Sequence, residues 1–218
     1  MKLGLCTIAF REKPLEEVMS IAADYGFDGI EIWGQEPHLS VTYDEAAVKK
    51  VKDMALRKGL EISALGSYIN PLLPWYQKHL EDAFKIAQGL GTTLVRVWSG
   101  GGPSQAMSFE EKRLITFRFV GIAQWAQFRR LTLGLEMHNN NLTDNVASIL
   151  ELITQVKLPS LKTYYQPLFR QNADDPYEAA QKLAPHIVNV HAQNADASGK
   201  GCPIADGVLD YSKIIDIL

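Results

Sequence analysis

The chain lacks the features that mark secreted, membrane-spanning or nucleic-acid-binding proteins. Its 218 residues include two cysteines, Cys6 and Cys202, which are too few for a disulfide framework. No stretch approaches the roughly 18 consecutive apolar residues of a transmembrane helix. Residues 1–10 are unlike a signal peptide. Lysine and arginine number 22 against 25 aspartates and glutamates, a formal net charge of −3, so the basic excess that pairs with phosphates is missing. We therefore expect a cytoplasmic protein with neither a nucleic-acid nor a membrane partner.

Apolar runs rich in valine, isoleucine and leucine alternate along the whole chain with amphipathic segments of helix length. Proline near the start and glycine just past the end of several segments mark helix boundaries. Strands are predicted at residues 3–8, 29–33, 60–65, 94–98, 131–138, 161–166 and 187–191. Helices are predicted at residues 14–25, 43–58, 74–90, 108–130, 145–156, 176–184 and 211–218.

This alternation predicts an α/β fold with a parallel sheet and crossover helices, either an open doubly wound sheet or a TIM-type (β/α) barrel. The glycine-rich dinucleotide fingerprint is absent after the first strand, where residues 7–11 read Thr-Ile-Ala-Phe-Arg. The regular spacing favours the barrel, as one domain over residues 1–218. Eight units of a barrel need about 250 residues, so we expect the chain to lack, or to be truncated before, the eighth strand.

Polar residues fall on one parity near the ends of the predicted strands. In the fifth strand Leu133 and Leu135 share the apolar parity, whereas Glu136 and His138 share the other. Alternate residues of a barrel strand face the interior, and active sites lie at the carboxyl ends of the strands. The same sorting places Glu31, Trp33, Arg96, Trp98, Asn189 and His191 inward, with Gln166 in line with Tyr164. We therefore predict a polar pocket at these ends.

Three segments resemble the xylose isomerase-like barrels. They are Gly-Phe-Asp-Gly-Ile-Glu-Ile-Trp at 26–33, Leu-Glu-Met-His at 135–138 and Val-Asn-Val-His at 188–191. That superfamily contains sugar phosphate isomerases and epimerases, inosose and dehydroshikimate dehydratases, and endonuclease IV. The resemblance implies a xylose isomerase-like TIM barrel that belongs with the sugar phosphate isomerases and epimerases. The multi-histidine, three-zinc cluster of endonuclease IV has no counterpart in the corresponding segments.

The resemblance also implies one divalent metal, for which Mn, Mg, Co and Zn are candidates. Glu136 matches the family's ligand on strand five and His191 its ligand on strand seven. Gln166 stands where the family has an aspartate on strand six, and the strand-eight glutamate has no counterpart. Hard divalent ions favour anionic oxygen, so a site with one carboxylate is expected to bind metal weakly.

The implied chemistry is proton transfer next to the carbonyl of a small sugar or polyol, with Glu136 as the catalytic base. The substrate contacts implied by position are Glu31, Trp33, Arg96, Trp98, His138 and Asn139. Arg96 is expected to pair either with an anionic group of the substrate or with Glu31. The segment 192–210 is expected to be a mobile loop over the pocket, and a homo-oligomer is expected. Two other functions remain open: a non-catalytic sugar-binding barrel, and a polyol dehydratase of the same superfamily.

Overall fold

The structure is a computed structural model that describes residues 1–171 and 173–218. Its internal contacts form two compact units. The first comprises residues 1–97 and 125–132, and the second comprises residues 98–124 and 133–218. Across the described residues, seven parallel strands alternate with helices, which confirms the TIM-barrel type of fold with seven parallel strands instead of eight.

The first unit contains four parallel strands and three complete α-helices. Each strand pairs with the next one along the chain. The strands are β1 (Gly4–Cys6), β2 (Gly29–Trp33), β3 (Glu61–Gly66) and β4 (Leu94–Val97). The helices are α1 (Leu15–Asp24), α2 (Glu45–Arg57) and α3 (Tyr76–Leu90).

A buried ion pair lies among the strands of the first unit. Glu31 on β2 and Arg96 on β4 approach to 3.3 Å, with both side chains 4% exposed. Gly66 on β3 makes this possible, because a Cβ there would lie 2.8 Å from Arg96 Nη2 and 3.1 Å from Glu31 Oε1. The absence of a side chain at this position therefore leaves the space that the guanidinium and the carboxylate occupy.

The second unit contains the remaining parallel strands and a short antiparallel hairpin. β5 pairs with β6, and β6 pairs with β7. The strands are β5 (Thr132–Leu135, whose first residue is counted with the first unit), β6 (Leu161–Tyr165), β7 (Ile187–Val190), β8 (Asn194–Ala195) and β9 (Gly201–Cys202). The helices are α5 (Val146–Val156), α6 (Pro176–Leu183) and α7 (Tyr211–Ile217).

The longest helix, α4 (Phe109–Phe128), begins in the second unit and ends in the first. A capping box starts it: Ser108 Oγ accepts from the Glu111 amide, and the Glu111 carboxylate accepts from the Ser108 amide. The Ser108 amide and the Ser108 hydroxyl both donate to the Glu111 carboxylate, and these two bonds hold the pKa of that carboxyl below its usual range. In the described part of the chain, no helix is long and apolar enough to cross a membrane.

The predicted strands and helices agree with the observed ones to within a few residues. Two differences arise around β7. The register shifts between Thr163 and Tyr164 of β6, so Val188 of β7 lies outside the ladder, and its side chain is 38% exposed. The segment 192–210, predicted as a loop, contains the β8–β9 hairpin.

The buried ion pair predicts that removing one partner lowers stability more than replacing both partners with apolar residues. Arg96→Met should lower the free energy of unfolding by about 3–5 kcal/mol, because it leaves the Glu31 carboxylate buried without its cation. Glu31→Leu combined with Arg96→Met should recover part of the loss. Urea unfolding of the purified variants measures both.

Lys49→Met is the matched control, because Lys49 and Asp53 form an ion pair on the exposed surface of α2. This variant should unfold at the same urea concentration as the wild type, within error. An Arg96→Met variant as stable as the control would contradict a stabilising role for the buried pair.

Candidate active site

Three predicted metal ligands lie together at the carboxyl ends of successive strands in the second unit. Glu136 follows β5, Gln166 follows β6 and His191 follows β7. His191 Nδ1 lies 2.9 Å from Gln166 Oε1 and 3.7 Å from Glu136 Oε1. Glu136 is 4% exposed and Gln166 is 8% exposed. Because neighbouring parallel strands end at the same edge of a sheet, the three side chains meet although 55 residues separate the first from the last.

The hydrogen bond between Gln166 and His191 determines which imidazole nitrogen carries the proton. An amide oxygen only accepts hydrogen bonds, so the Nδ1–H of His191 donates to Gln166 Oε1. The same N–H faces the Glu136 carboxylate. Tyr164 packs its ring edge-on against the imidazole at a centroid distance of 4.8 Å. The imidazole plane is thus held by an amide, a carboxylate and an aromatic ring.

The donor atoms of this cluster suit a hard or borderline divalent cation. Two adjacent ligands of an octahedral ion with bonds of about 2.1 Å lie roughly 3 Å apart, and the observed separations are 2.9 and 3.7 Å. The set comprises one carboxylate oxygen, one amide oxygen and one imidazole nitrogen. These residue types fit a metal, but they supply a single negative charge. Binding would also require His191 Nδ1 to release its hydrogen.

A buried hydroxyl and amide network supports the segment that carries Glu136. Thr143 Oγ1 donates to the Glu136 carbonyl at 2.5 Å and also contacts Ser99 Oγ at 3.0 Å. Ser99 Oγ donates to Asn141 Oδ1 at 2.8 Å, and the same amide oxygen accepts from the backbone amides of Ser99 and Leu142. All three polar side chains are fully buried. The network therefore determines where the chain turns after β5.

Trp98 and His138 form a second part of the site. Their rings lie 4.8 Å apart at an angle of 47°. His138 Nδ1 lies 2.6 Å from the carbonyl oxygen of Asn139, which only accepts, so Nδ1 carries the hydrogen. In the neutral ring, Nε2 then has its lone pair available as an acceptor. His138 is half-buried, so this nitrogen belongs to a side chain that a small molecule can reach.

The segment after His191 is attached to two neighbouring elements. Gln193 Nε2 donates to the Pro167 carbonyl at 2.7 Å, and the Gln193 backbone both donates to and accepts from the Tyr211 hydroxyl at 2.8 Å. Burial raises the pKa of Tyr211 to about 12, so its hydroxyl keeps the proton that it donates. These contacts limit how far the backbone beside His191 can move.

Asn194 organises the segment that the sequence predicted to be a mobile loop. Its side-chain oxygen accepts from the amides of Ala195 and Leu209, and its Nδ2 donates to the carbonyls of Ile204 and Leu209. A Cβ at Gly207 would lie 2.1 Å from the Asn194 side chain, so glycine is needed for the close approach. The buried Asn194 side chain therefore connects β8 to the segment that follows the hairpin.

The other predicted contacts lie in the first unit. Arg96 pairs with Glu31, which is the structural alternative considered from the sequence. Trp33 Nε1 donates to the Tyr68 hydroxyl at 2.8 Å, and the Arg96 guanidinium lies 6.0 Å from the Tyr68 ring centroid. Trp33 also packs edge-on against His38 at 5.4 Å. Tyr68 thus connects Trp33 to the Glu31–Arg96 ion pair.

Sequence reasoning missed Ser99, Asn141, Thr143 and Asn194. Hydroxyl and amide side chains are common in loops, so a single sequence does not distinguish a buried network from solvent-facing turn residues. The run of three asparagines at 139–141 was the one available signal, since asparagine often bonds to nearby backbone.

A family model described as the xylose isomerase-like TIM barrel matches residues 19–218. The chain belongs to this family. The resemblance read from the sequence is therefore confirmed.

A curated sequence and a solved structure from Bacillus anthracis are similar to this chain over almost its whole length. A curated 3-dehydroshikimate dehydratase is 28% identical over 240 aligned positions, which cover 99% of this chain and 86% of the relative. A crystal structure described as the probable 3-DHS dehydratase AsbF, involved in petrobactin synthesis, superimposes with a TM-score of 0.83 at 26% identity. That alignment covers 99% of this chain and 88% of the other.

Other relatives carry different names. A fructoselysine 3-epimerase of Escherichia coli O157:H7 is 36% identical over 56 residues, 25% of this chain and 20% of the relative. A xylose isomerase-like barrel from Mycobacterium smegmatis, solved in complex with magnesium, has a TM-score of 0.76 at 16% identity. That alignment covers 98% of this chain and 84% of the other, and it shows a shared fold.

The network below Glu136 predicts a measurable cost for losing one hydroxyl. Thr143→Val keeps the side-chain volume but leaves the Glu136 carbonyl and Ser99 without this partner. The free energy of unfolding should fall by about 1–3 kcal/mol, as measured by urea denaturation followed by circular dichroism.

Thr116→Val is the control, because the Thr116 hydroxyl lies on α4, only part-buried, and bonds to the Lys112 carbonyl and to Gln155. We expect this control to change stability by less than about 0.5 kcal/mol. Equal losses of unfolding free energy in the two variants would show that the buried network stabilises the protein no more than the hydrogen bonds of Thr116 do.

Proposed function

We propose that the chain is an enzyme that removes a proton from the carbon next to a carbonyl in a small polyhydroxylated substrate, and that the reaction ends in loss of water. One observation carries the proposal: the buried Glu136 carboxylate faces His191 at a strand-end site in this family. A carboxylate held in a buried, hydrogen-bonded setting is a suitable general base. The match to a dehydratase over 99% of the chain supports the outcome.

A divalent cation would be held by Glu136 Oε1, Gln166 Oε1 and His191 Nδ1. When bound, it would supply Lewis-acid polarisation of the substrate carbonyl, which makes the neighbouring C–H bond more acidic. A protein with the same fold was solved in complex with magnesium, which supports a divalent cation as the occupant. With one carboxylate among three donors, we expect the affinity to be low.

The Glu136 carboxylate would take the proton from the carbon next to the carbonyl. The electrons of the broken C–H bond form a C=C bond, and the C–O bond to the neighbouring hydroxyl breaks. The departing oxygen takes the proton from Glu136 and leaves as water, so the carboxylate is regenerated. One carboxyl group therefore serves as base and then as acid.

Three further side chains of the second unit would orient the substrate, namely those of Trp98, His138 and Asn139. His138 Nε2 accepts a hydrogen bond from a substrate hydroxyl, since Nδ1–H is already engaged with the Asn139 carbonyl. Asn139 contributes a further polar contact, and the Trp98 ring provides an apolar face for the carbon skeleton. The Thr143 and Ser99 hydroxyls hold the backbone of Glu136, so the base stays at one position.

The sequence also predicted substrate contacts among residues of the first unit, namely Glu31, Trp33 and Arg96. Arg96 presents a guanidinium, but the Glu31 carboxylate already neutralises much of its charge at 3.3 Å. We propose that Arg96 contacts a carboxylate or phosphate weakly, that Glu31 orients it, and that Trp33 packs beside the substrate. The sugar or polyol would thus be selected more by hydroxyl contacts than by charge.

Epimerisation is the second candidate, because the fructoselysine 3-epimerase matches a quarter of the chain at 36% identity. Inverting a carbon requires an acid or base on each face of it. Within the described residues of the second unit, Glu136 is the carboxylate that faces His191. This one base serves a dehydration more readily than an inversion.

The charge argument predicts opposite effects of two substitutions on metal affinity. Gln166→Asp adds a second anionic oxygen, so the dissociation constant for Mn²⁺ should fall by about tenfold or more. Glu136→Gln removes the carboxylate from the set of Glu136, Gln166 and His191, so the constant should rise by at least a similar factor. Isothermal titration calorimetry measures both, and Glu151→Gln on the exposed side of α5 should leave the value unchanged. If neither site variant changed Mn²⁺ affinity, the three residues would not form the metal site.

Proton abstraction is testable without knowing the natural substrate. In D₂O, with Mn²⁺ or Mg²⁺ present, the wild type should incorporate deuterium next to the carbonyl of 3-dehydroshikimate or of a ketose in a panel, as detected by NMR. Glu136→Gln should slow exchange and product formation by roughly 10²–10⁴-fold, with circular dichroism unchanged.

The Glu151→Gln control should keep the full rate. Appearance of an unsaturated product identifies dehydration, and appearance of an epimer identifies the second candidate. Binding of sugars without any deuterium exchange would instead support a non-catalytic sugar-binding barrel. Full activity of Glu136→Gln would overturn the assignment of the base.

A further inference from the structure

We propose that α4 is the contact face of a homodimer in which two copies of this chain pack their α4 helices antiparallel across a twofold axis at Gly121. This inference concerns a surface of one helix and does not depend on the proposed function. It rests on the exposure, spacing, pre-arranged geometry and charge of the α4 residues.

Large apolar side chains form an exposed stripe along α4. Leu114 is 39% exposed, Phe117 76%, Trp125 37% and Phe128 74%. Their spacing of 3, 8 and 3 residues places them on one side of a helix with 3.6 residues per turn. We call these four residues and Gly121 the α4 stripe.

Another side of α4 is already packed inside the protein. Ile115, Phe119, Ile122 and Ala126 are at most 2% exposed. The helix is therefore apolar on both its inner and its outer side. Such an arrangement is typical of helices that are covered on both sides, so the sequence of α4 is not explained by the core of a single copy.

Gly121 lies at the centre of the α4 stripe. A Cβ at this position would meet nothing within 4 Å, so the interior of the protein does not require glycine here. Glycine inside a helix costs about 1 kcal/mol relative to alanine. A second helix explains its presence, because small residues allow two helix backbones to approach closely.

The α4 stripe is symmetric about Gly121. Phe117 and Trp125 lie four residues before and after it, and Leu114 and Phe128 lie seven residues before and after it. An antiparallel pair of helices centred on Gly121 therefore places Phe117 of one copy against Trp125 of the other. Leu114 meets Phe128 in the same way. A twofold interface requires such a self-complementary surface, which is the reason for choosing a second copy as the occupant.

The aromatic half of the α4 stripe is held in place before any contact forms. Trp125 stacks on Phe128 with centroids 5.2 Å apart and planes at 12°. The Arg129 guanidinium lies 4.9 Å from the Trp125 ring centroid and pairs with Glu81 at 2.7 Å. Trp125 Nε1 donates to Glu81 at 3.3 Å. Fixed rings lose little conformational entropy on association, and tryptophan and arginine are common at the centres of interfaces.

The charges at the two ends of α4 favour the antiparallel orientation. Glu110 and Glu111 lie in the first turn, and Arg129 and Arg130 follow the last turn. Antiparallel packing brings Arg129 and Arg130 of one copy beside Glu110 and Glu111 of the other, which Lys112 and Arg113 follow along the chain. The dipoles of the two helices then point in opposite directions, which is favourable. A parallel arrangement would place the arginines that follow α4 in both copies together.

The area of the α4 stripe suits a dimer of moderate affinity. Three aromatic side chains that each carry on the order of 150–250 Å² supply a few hundred Å² of exposed surface per copy. A stable interface covers about 800 Å² per partner, so the α4 stripe forms the apolar centre and polar residues beside it form the rim.

The test compares two phenylalanines of α4 by sedimentation velocity of the full chain. The wild type should sediment as a dimer at about 100 µM, and Phe117→Glu should weaken the dimer at least about tenfold. Phe109→Glu is the matched control, because Phe109 is equally exposed, at 72%, but lies off the α4 stripe. It should dimerise as the wild type does. A monomeric wild type, or equal behaviour of the two variants, would overturn the proposal.

A crosslink keeps the test decisive if Phe117→Glu fails to fold. In a background with Cys6→Ser and Cys202→Ser, Gly121→Cys should form a disulfide-linked dimer on oxidation, because the axis brings the two copies of position 121 together. Gln127→Cys, exposed on another side of α4, should not. Equal crosslinking at both positions, or none at 121, would reject the antiparallel contact.

Discussion

The approach of the Glu136 carboxylate to the His191 imidazole is the interaction on which the functional interpretation depends. It exists because β5, β6 and β7 are parallel and end at the same edge, so that residues just past each strand meet. Gln166 completes the group by accepting the Nδ1–H of His191 at 2.9 Å. A buried carboxylate, a candidate cation site and an oriented imidazole thus lie together because three strands run in the same direction.

The charge of this group determines what it can do. A glutamine stands between a glutamate and a histidine, so the amide oxygen satisfies the imidazole without adding a second negative charge. A carboxylate in the same place would add a second anionic oxygen and would bind a divalent ion more strongly. The three side chains therefore carry one carboxylate between them, which is the reason for proposing a weak metal site and a one-sided proton transfer.

Hydrogen bonds around the site fix the positions of the backbone segments that carry its buried polar side chains. Thr143 donates a hydrogen bond to the Glu136 carbonyl and contacts Ser99, and Asn194 bonds to the backbone of the segment that follows His191. Each uses hydroxyl or amide groups whose hydrogen bonds are satisfied within a few residues of a strand end. The Glu31–Arg96 pair plays a comparable part in the first unit, where the missing side chain of Gly66 leaves it space.

The sequence by itself determined the order of strands and helices, the TIM-type fold and the positions of Glu136 and His191 at strand ends. These follow from hydrophobic periodicity and from short motifs, which are local properties of the chain. Only the tertiary structure decided that Arg96 pairs with Glu31, that Val188 is exposed, and that a buried amide orders the predicted mobile loop. Strand register and side-chain partners depend on neighbours distant in sequence, and a pattern read along one chain does not contain them.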